Sequence, residues 1–278
     1  MRLVRHGPAG RERPGLIDAD GRIRDLSGRV ADIGGDALIP EGQARLRRID
    51  ADDLPVVAEG TRLGPPVAAV GKVICIGLNY ACNARALGQP APDEPAMSMK
   101  PPSVLAGAGD GIVLPRGSVA TDWEVELAVV IGRPARYVTE EDARGHVAGY
   151  CLANDLSERD DQRHRGGDSS KGRGHDGFGP LGPWLLTADE VADPQDIRLW
   201  LEIDGERVQD GTTADMLWGV DRLVAYLSRF TTLLPGDVIF SGTPAGIGIG
   251  CDPPRFLKAG QRVRLGGTGL GEQDGIVA

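Results

Sequence analysis

Asp122–Gly132 reads DWEVELAVVIG. Its second half, Leu127 to Ile131, is apolar and rich in β-branched residues, the composition of a buried strand. Side chains two apart on a strand share a face. Glu124 and Glu126 therefore project together, followed on that face by Ala128 and Val130. Two carboxylates at the mouth of an apolar strand repel each other and resist burial. A divalent cation relieves both costs. Two solvated carboxylates on an edge strand are the alternative that the stretch alone leaves open.

Working outward, Val70–Tyr80, VGKVICIGLNY, reads as a second buried strand running into a glycine turn. ACNARALG then predicts one or two helical turns ending at Gly88. AGYCLANDLSERD passes from a strand into a polar segment at Asn154-Asp155. Asp204-Gly205 marks a hairpin turn within LEIDGERVQDG. VDRLVAYLSRF predicts an amphipathic helix with Val220, Leu223, Val224, Leu227 and Phe230 on one face. LLPGDVIFSGTPAGIG is a turn, a strand and a glycine-rich loop. Residues 1–66 differ in texture, with short strands around an Asp20-Gly21 turn and a Gly-Pro-Pro link at the end. The expected organisation is a small β-rich N-terminal domain (1–66) and a larger domain (67–278). Short strands at regular spacing with few helices predict a β-rich α+β fold.

The chain has 278 residues and a net charge of -9. An acidic surface argues against general nucleic-acid binding. No apolar run is long enough to span a bilayer, and the N-terminus lacks a signal-peptide core, so a cytoplasmic location is expected. Cys75, Cys82, Cys151 and Cys251 have no metal-ligand spacing and read as reduced thiols. His6 and His146 are expected at the surface.

Asp155 adds a third carboxylate from a separate strand. An all-oxygen set with no grouped Cys or His suits Mg²⁺, Mn²⁺ or Ca²⁺ rather than Zn²⁺. Arg159 and Gln162 follow Asp155 on what would be one helical face, and an Arg fork beside a cation is a seat for a substrate carboxylate. An exposed, ordinarily charged helix is the alternative. SGTPAG offers Thr243 and backbone N–H groups in a tight turn but lacks the ending of a nucleotide-binding loop. HRGGDSSKGRGHDGFGPLGP is too long for a simple connection, and His175 sits within it.

Together KVICIGLNY, KPPSVLAG, DWEVELAVVIG, AGYCLANDLSERD, GPLGPWL, the long segment DMLWGVDRLVAYLSRFTTLLPGDVIFSGTPAGIG, and PPRFLKAG resemble the fumarylacetoacetate hydrolase family in order over residues 70–278. The N-terminal part resembles a branch labelled ureidoglycolate lyase or 2,4-diketo-3-deoxy-sugar-acid hydrolase. The resemblance implies a mixed β-roll, a homodimer, and Mg²⁺ or Mn²⁺ held by Glu124, Glu126 and Asp155. It also implies a small-molecule 2-oxo acid substrate, with Arg159, Gln162 and Thr243 as substrate contacts.

The chain departs from that pattern where hydrolytic members carry a water-activating His and, three residues later, a Glu. Asn83 and Ala86 stand there, and neither is a general base. Arg173 stands in place of the family's active-site Lys. The catalytic candidates are thus Arg173, His175 and Asn83. The expected chemistry is enolate stabilisation on a 2-oxo or 2,4-dioxo acid, with C–C hydrolysis as the family default. The alternatives are a decarboxylase, a tautomerase or other lyase or isomerase, and a non-catalytic oxo-acid-binding member.

Overall fold

A computed structural model describes residues 1–166 and 169–278. The strands are β1 (Arg2–His6), β2 (Arg13–Ile17), β3 (Ile23–Asp25), β4 (Val73–Gly77), β5 (Ala96–Lys100), β6 (Val125–Ile131), β7 (Val147–Asn154), β8 (Leu185–Thr187), β9 (Arg198–Ile203), β10 (Glu206–Thr212), β11 (Val238–Phe240), β12 (Arg262–Gly267) and β13 (Gly271–Ile276), with shorter pieces between them. The helices used below are α1 (Pro40–Leu46), α2 (Ala81–Ala86), α3 (Glu140–Ala143), α4 (Arg159–His164), α5 (Ser169–Arg173) and α6 (Val220–Leu227). The expectation of a strand-rich α+β fold holds.

The stretch DWEVELAVVIG supplies β6, the middle of the main sheet. Along that sheet the order is β3-β2-β1-β8-β7-β6-β11-β4-β5. β7 and β11 flank β6 antiparallel, while β11 runs parallel to β4. Every residue of β6 is buried, as a central strand covered on both faces requires. Val125, Leu127, Val129 and Ile131 enter one core with Leu199, Leu201, Leu223 and Leu227. Ala128 and Val130 enter the other with Leu3, Leu16, Cys75, Cys151 and Phe240. The period-two reading of this strand is therefore correct, and its carboxylates lie on the Ala128–Val130 face.

The N-terminal strands extend the same sheet. β1 pairs with β8 as well as β2, and Leu3 and Leu16 share a core with the central strands. β9, β10, β12 and β13 form a second, four-stranded sheet. Asp204 and Gly205 join β9 to β10 with φ of 51° and 84°, the double left-handed turn that the Asp-Gly pair favours.

Two expectations need correction. Phe230 lies beyond α6, which ends at Leu227, and its ring is exposed. His6 is buried rather than at the surface, because β1 is covered on both sides; burial pushes its imidazole below the ordinary value. No helix is long and apolar enough to cross a membrane among the described residues.

Candidate metal and substrate site

Antiparallel pairing assembles the three carboxylates. Asn154, the last residue of β7, lies opposite Val125, the first of β6. Asp155 consequently arrives beside Glu124, and its N–H donates to the Glu124 carbonyl at 2.9 Å. One oxygen each of Glu124, Glu126 and Asp155 lies within 4.8 Å of the others. All three side chains are buried.

The loop after β11 closes this corner. Gly242 N–H donates to Glu126 Oε2 at 2.8 Å, and Gly242 has φ of 98°. A Cβ there would stand 2.8 Å from that of Asn79, so only glycine fits without displacing the loop. Asn79 ties the same loop down through its amide N–H₂, which donates to the Ser241 and Trp218 carbonyls.

Cations surround the cluster. Arg159, first residue of α4, donates through Nε to Asp122 at 2.8 Å, through Nη2 to Glu124 at 2.5 Å and through Nη1 to Gln162 at 3.1 Å. Glu158 caps α4 and is itself held by Ser118, Thr121 and the Ala120 N–H. Arg173 closes α5 and donates to Asp155 Oδ2. α5 packs tightly on α4 through Gly172, where a Cβ would meet the Glu158 carbonyl at 2.3 Å.

Lys100, the last residue of the edge strand β5, also reaches the cluster. Its Nζ stands 2.5 Å from Asp155 Oδ1 but donates to the carbonyls of Leu156 and Phe178. Sequence reasoning missed Lys100 and Asp122. A lysine closing a strand otherwise free of charge, AMSMK, was the available signal for the first.

The electrostatics fit a cation. Burial, with Asp155 and then Glu124 nearby, drives the Glu126 carboxyl well above the ordinary range. Burial also raises Glu124, against the pull of Arg159. Burial pushes Asp155 upward too, but Arg173 and Lys100 outweigh it and hold that group low. Asp155 Oδ1 is buried against the Lys100 ammonium, and Oδ2 accepts from Arg173. Three buried oxygen donors, two of them penalised by burial, match the needs of a hard divalent ion.

Glu124 and Glu126 line a cleft of about 320 Å³ together with Arg159, Gln162, Arg173 and Thr243, at the low end of small-molecule sites. The Thr243 hydroxyl donates to the Val125 carbonyl and accepts from Gln209, so it is committed to the loop. Asn83 of α2 lines the same cleft; it is buried, and its Oδ1 has no hydrogen-bond partner among the described residues. Ala86 is exposed and lies outside the lining. His175 is also outside the lining: its Nε2 meets Asp161 Oδ2 at 3.1 Å and its ring stacks edgewise on Phe178.

A β-rich roll with an acidic cluster at the end of paired central strands defines a class of small-molecule enzymes. The model of the fumarylacetoacetate (FAA) hydrolase C-terminal domain matches residues 72–278, and the chain belongs to the fumarylacetoacetate hydrolase family. A Burkholderia multivorans protein named "Putative hydrolase" is 57% identical over 274 residues, covering 98% of this chain and 97% of its own. The fumarylacetoacetate hydrolase of Exiguobacterium antarcticum superposes with a TM-score of 0.89 at 33% identity, covering 100% of this chain and 99% of its own. The maleylpyruvate hydrolase of Sphingobium sp. SYK-6, in complex with manganese(II) and pyruvate, superposes with a TM-score of 0.83 at 28% identity over 100% and 99%.

Proposed function

We propose that the chain is a divalent-metal enzyme acting on a 2-oxo or 2,4-dioxo acid, with enolate chemistry retained and water attack weakened. The observation that carries this is a buried three-carboxylate cluster, two of whose members share a cleft lining with Asn83. Glu124, Glu126 and Asp155 would hold Mg²⁺ or Mn²⁺; manganese in the similar maleylpyruvate hydrolase supports the class of ion. The bound ion would supply Lewis-acid polarisation of the 2-oxo group.

The chain's own residues divide the remaining work. Arg159 fixes Glu124 and, through two N–H bonds not used by Asp122, Glu124 or Gln162, can face a substrate carboxylate. Arg173 balances Asp155 and presents positive charge to the cleft, but a guanidinium cannot shuttle a proton near neutral pH. Asn83 Oδ1 can accept a hydrogen bond from a water or enol hydroxyl, orienting it without removing its proton.

Loss of a general base costs about 10²–10⁴-fold in rate. C–C hydrolysis, the family default, is therefore slow, whereas decarboxylation and tautomerisation need no activated water. In decarboxylation of a 3-carboxy-2-oxo acid the electron pair of the broken C–C bond becomes the enolate, which then takes a proton from solvent.

The test is an assay of acylpyruvates and oxaloacetate with Mg²⁺ or Mn²⁺. Enol–keto exchange or decarboxylation is expected to exceed hydrolysis, and His175→Ala to change neither. Asn83→His with Ala86→Glu is expected to raise acylpyruvate hydrolysis by at least about tenfold, part of what a general base supplies. Rapid wild-type hydrolysis abolished by His175→Ala would overturn the reading.

A further inference from the structure

We propose that Gln209, which lies outside the cleft lining, is a positioning residue: with Thr243 it clamps the backbone of Val125 and so aims Glu124 and Glu126 at a shared cation. This rests on the metal reading of the site proposed above, and it assigns Thr243 to holding the strand rather than to contacting substrate.

Val125 stands between the two glutamates, and side chains hold both of its backbone polar groups. Its N–H donates to Gln209 Oε1 at 2.9 Å, and its carbonyl accepts from the Thr243 hydroxyl at 2.8 Å. Gln209 Nε2 donates to Thr243 Oγ1 at 2.8 Å, which closes a ring, and to the Pro244 carbonyl at 2.9 Å. The polarity of this ring is determined. A carbonyl only accepts and a backbone N–H only donates, so the Gln209 amide cannot be turned the other way round. Both amide hydrogens are spent on Thr243 and Pro244, and the Thr243 proton is spent on Val125. Thr243 therefore has no hydrogen to give a substrate carboxylate. Gln209, Thr243 and Val125 are all buried, where such bonds are strengthened by the low local dielectric.

Close approach of β10 to the loop after β11 makes the ring possible. A Cβ on Gly246 would stand 1.9 Å from the Val208 carbonyl oxygen, and one on Gly211 would stand 2.5 Å from Pro244 Cβ. Glycine at both positions lets the second sheet bring Gln209 against the start of β6. The same loop gives the Gly242 N–H to Glu126. Like charges on one strand face repel, and the peptide between Glu124 and Glu126 is where their directions are set. Groups that hold a ligand in place from behind act on metal affinity without touching the ion.

The experiment is calorimetric titration of Mn²⁺ into the wild type, Thr243→Val, Gln209→Met and the double variant, with urea midpoints measured beside it. Each single variant is expected to bind Mn²⁺ about tenfold more weakly, as loss of a supporting partner costs. Because the ring fails as a unit, the double variant should lose no more than either single one. Thr243→Ser keeps the hydroxyl and should recover most of what Thr243→Val loses, a comparison that decides alone if Gln209→Met does not fold. A lowered urea midpoint with unchanged Mn²⁺ affinity would reduce the ring to a structural role and overturn the proposal. Losses that multiply in the double variant, or an equal loss in Thr243→Ser, would overturn it too. So would a Thr243→Val protein that keeps its Mn²⁺ affinity and, once loaded, binds pyruvate more weakly, because Thr243 would then touch the substrate. Absence of Mn²⁺ binding by the wild type would overturn the metal reading itself, and this inference with it.

Discussion

Asp122 shows how much one side chain holds at this site. Its Oδ1 accepts from the N–H of Gly248 at 2.6 Å, and its Oδ2 from Arg159 Nε at 2.8 Å and Ile249 N–H at 3.2 Å. It therefore fixes Arg159, and Arg159 fixes Glu124. Asp122→Asn replaces one acceptor by a donor facing other donors. Partners behind a metal ligand typically contribute 10–100-fold in affinity, so Mn²⁺ binding measured by calorimetry should weaken by about that factor. An unchanged dissociation constant would detach Asp122 from the site. The stretch DWEVELAVVIG contained this residue, but nothing in it distinguishes a lead-in aspartate from one that organises an arginine 37 positions away. Glu124 and Glu126 were legible because spacing on a strand places two charges on one face, and that needs no tertiary knowledge.

Elements differ in how openly the sequence declares them. β6 was readable from its β-branched run, and α6 from its apolar face, since both follow local periodicity. Phe230 misled because periodicity continues past the residue at which the helix stops. The β2–β3 hairpin illustrates a turn with a measurable electrostatic role. Arg24 first, and the Arg22 N–H and side chain after it, hold the Asp18 carboxyl down to about 2, against burial. A carboxyl lowered in the fold stabilises it fully above its unfolded value, about 4. That contribution is lost as pH falls from there through about 2. The gap in urea midpoint between the wild type and Asp18→Asn should therefore be largest near neutral pH and shrink across that interval. A gap independent of pH would show that the Asp18 charge is not the stabilising feature.

At the scale of the whole molecule, the sheet order is what the sequence withheld. Residues 1–66 read as a separate texture, yet β1 lies between β2 and β8 in the main sheet and contributes Leu3 to a core shared with β6. Register was withheld as well. Only the pairing of Asn154 with Val125 shows why Asp155 must meet Glu124, and only the path of β5 brings Lys100 beneath Asp155. The segments matching the family marked out the candidate site, while the contacts that Lys100, Asp122 and Gly242 make to it emerged from packing. Mn²⁺ titration of the wild type beside Glu126→Gln tests most directly whether the three carboxylates form a metal site. The prediction is one Mn²⁺ per chain in the wild type and an affinity at least about 100-fold lower in the variant, since a lost ligand costs no less than a lost supporting partner. No Mn²⁺ bound by the wild type, or equal binding by both proteins, would contradict it.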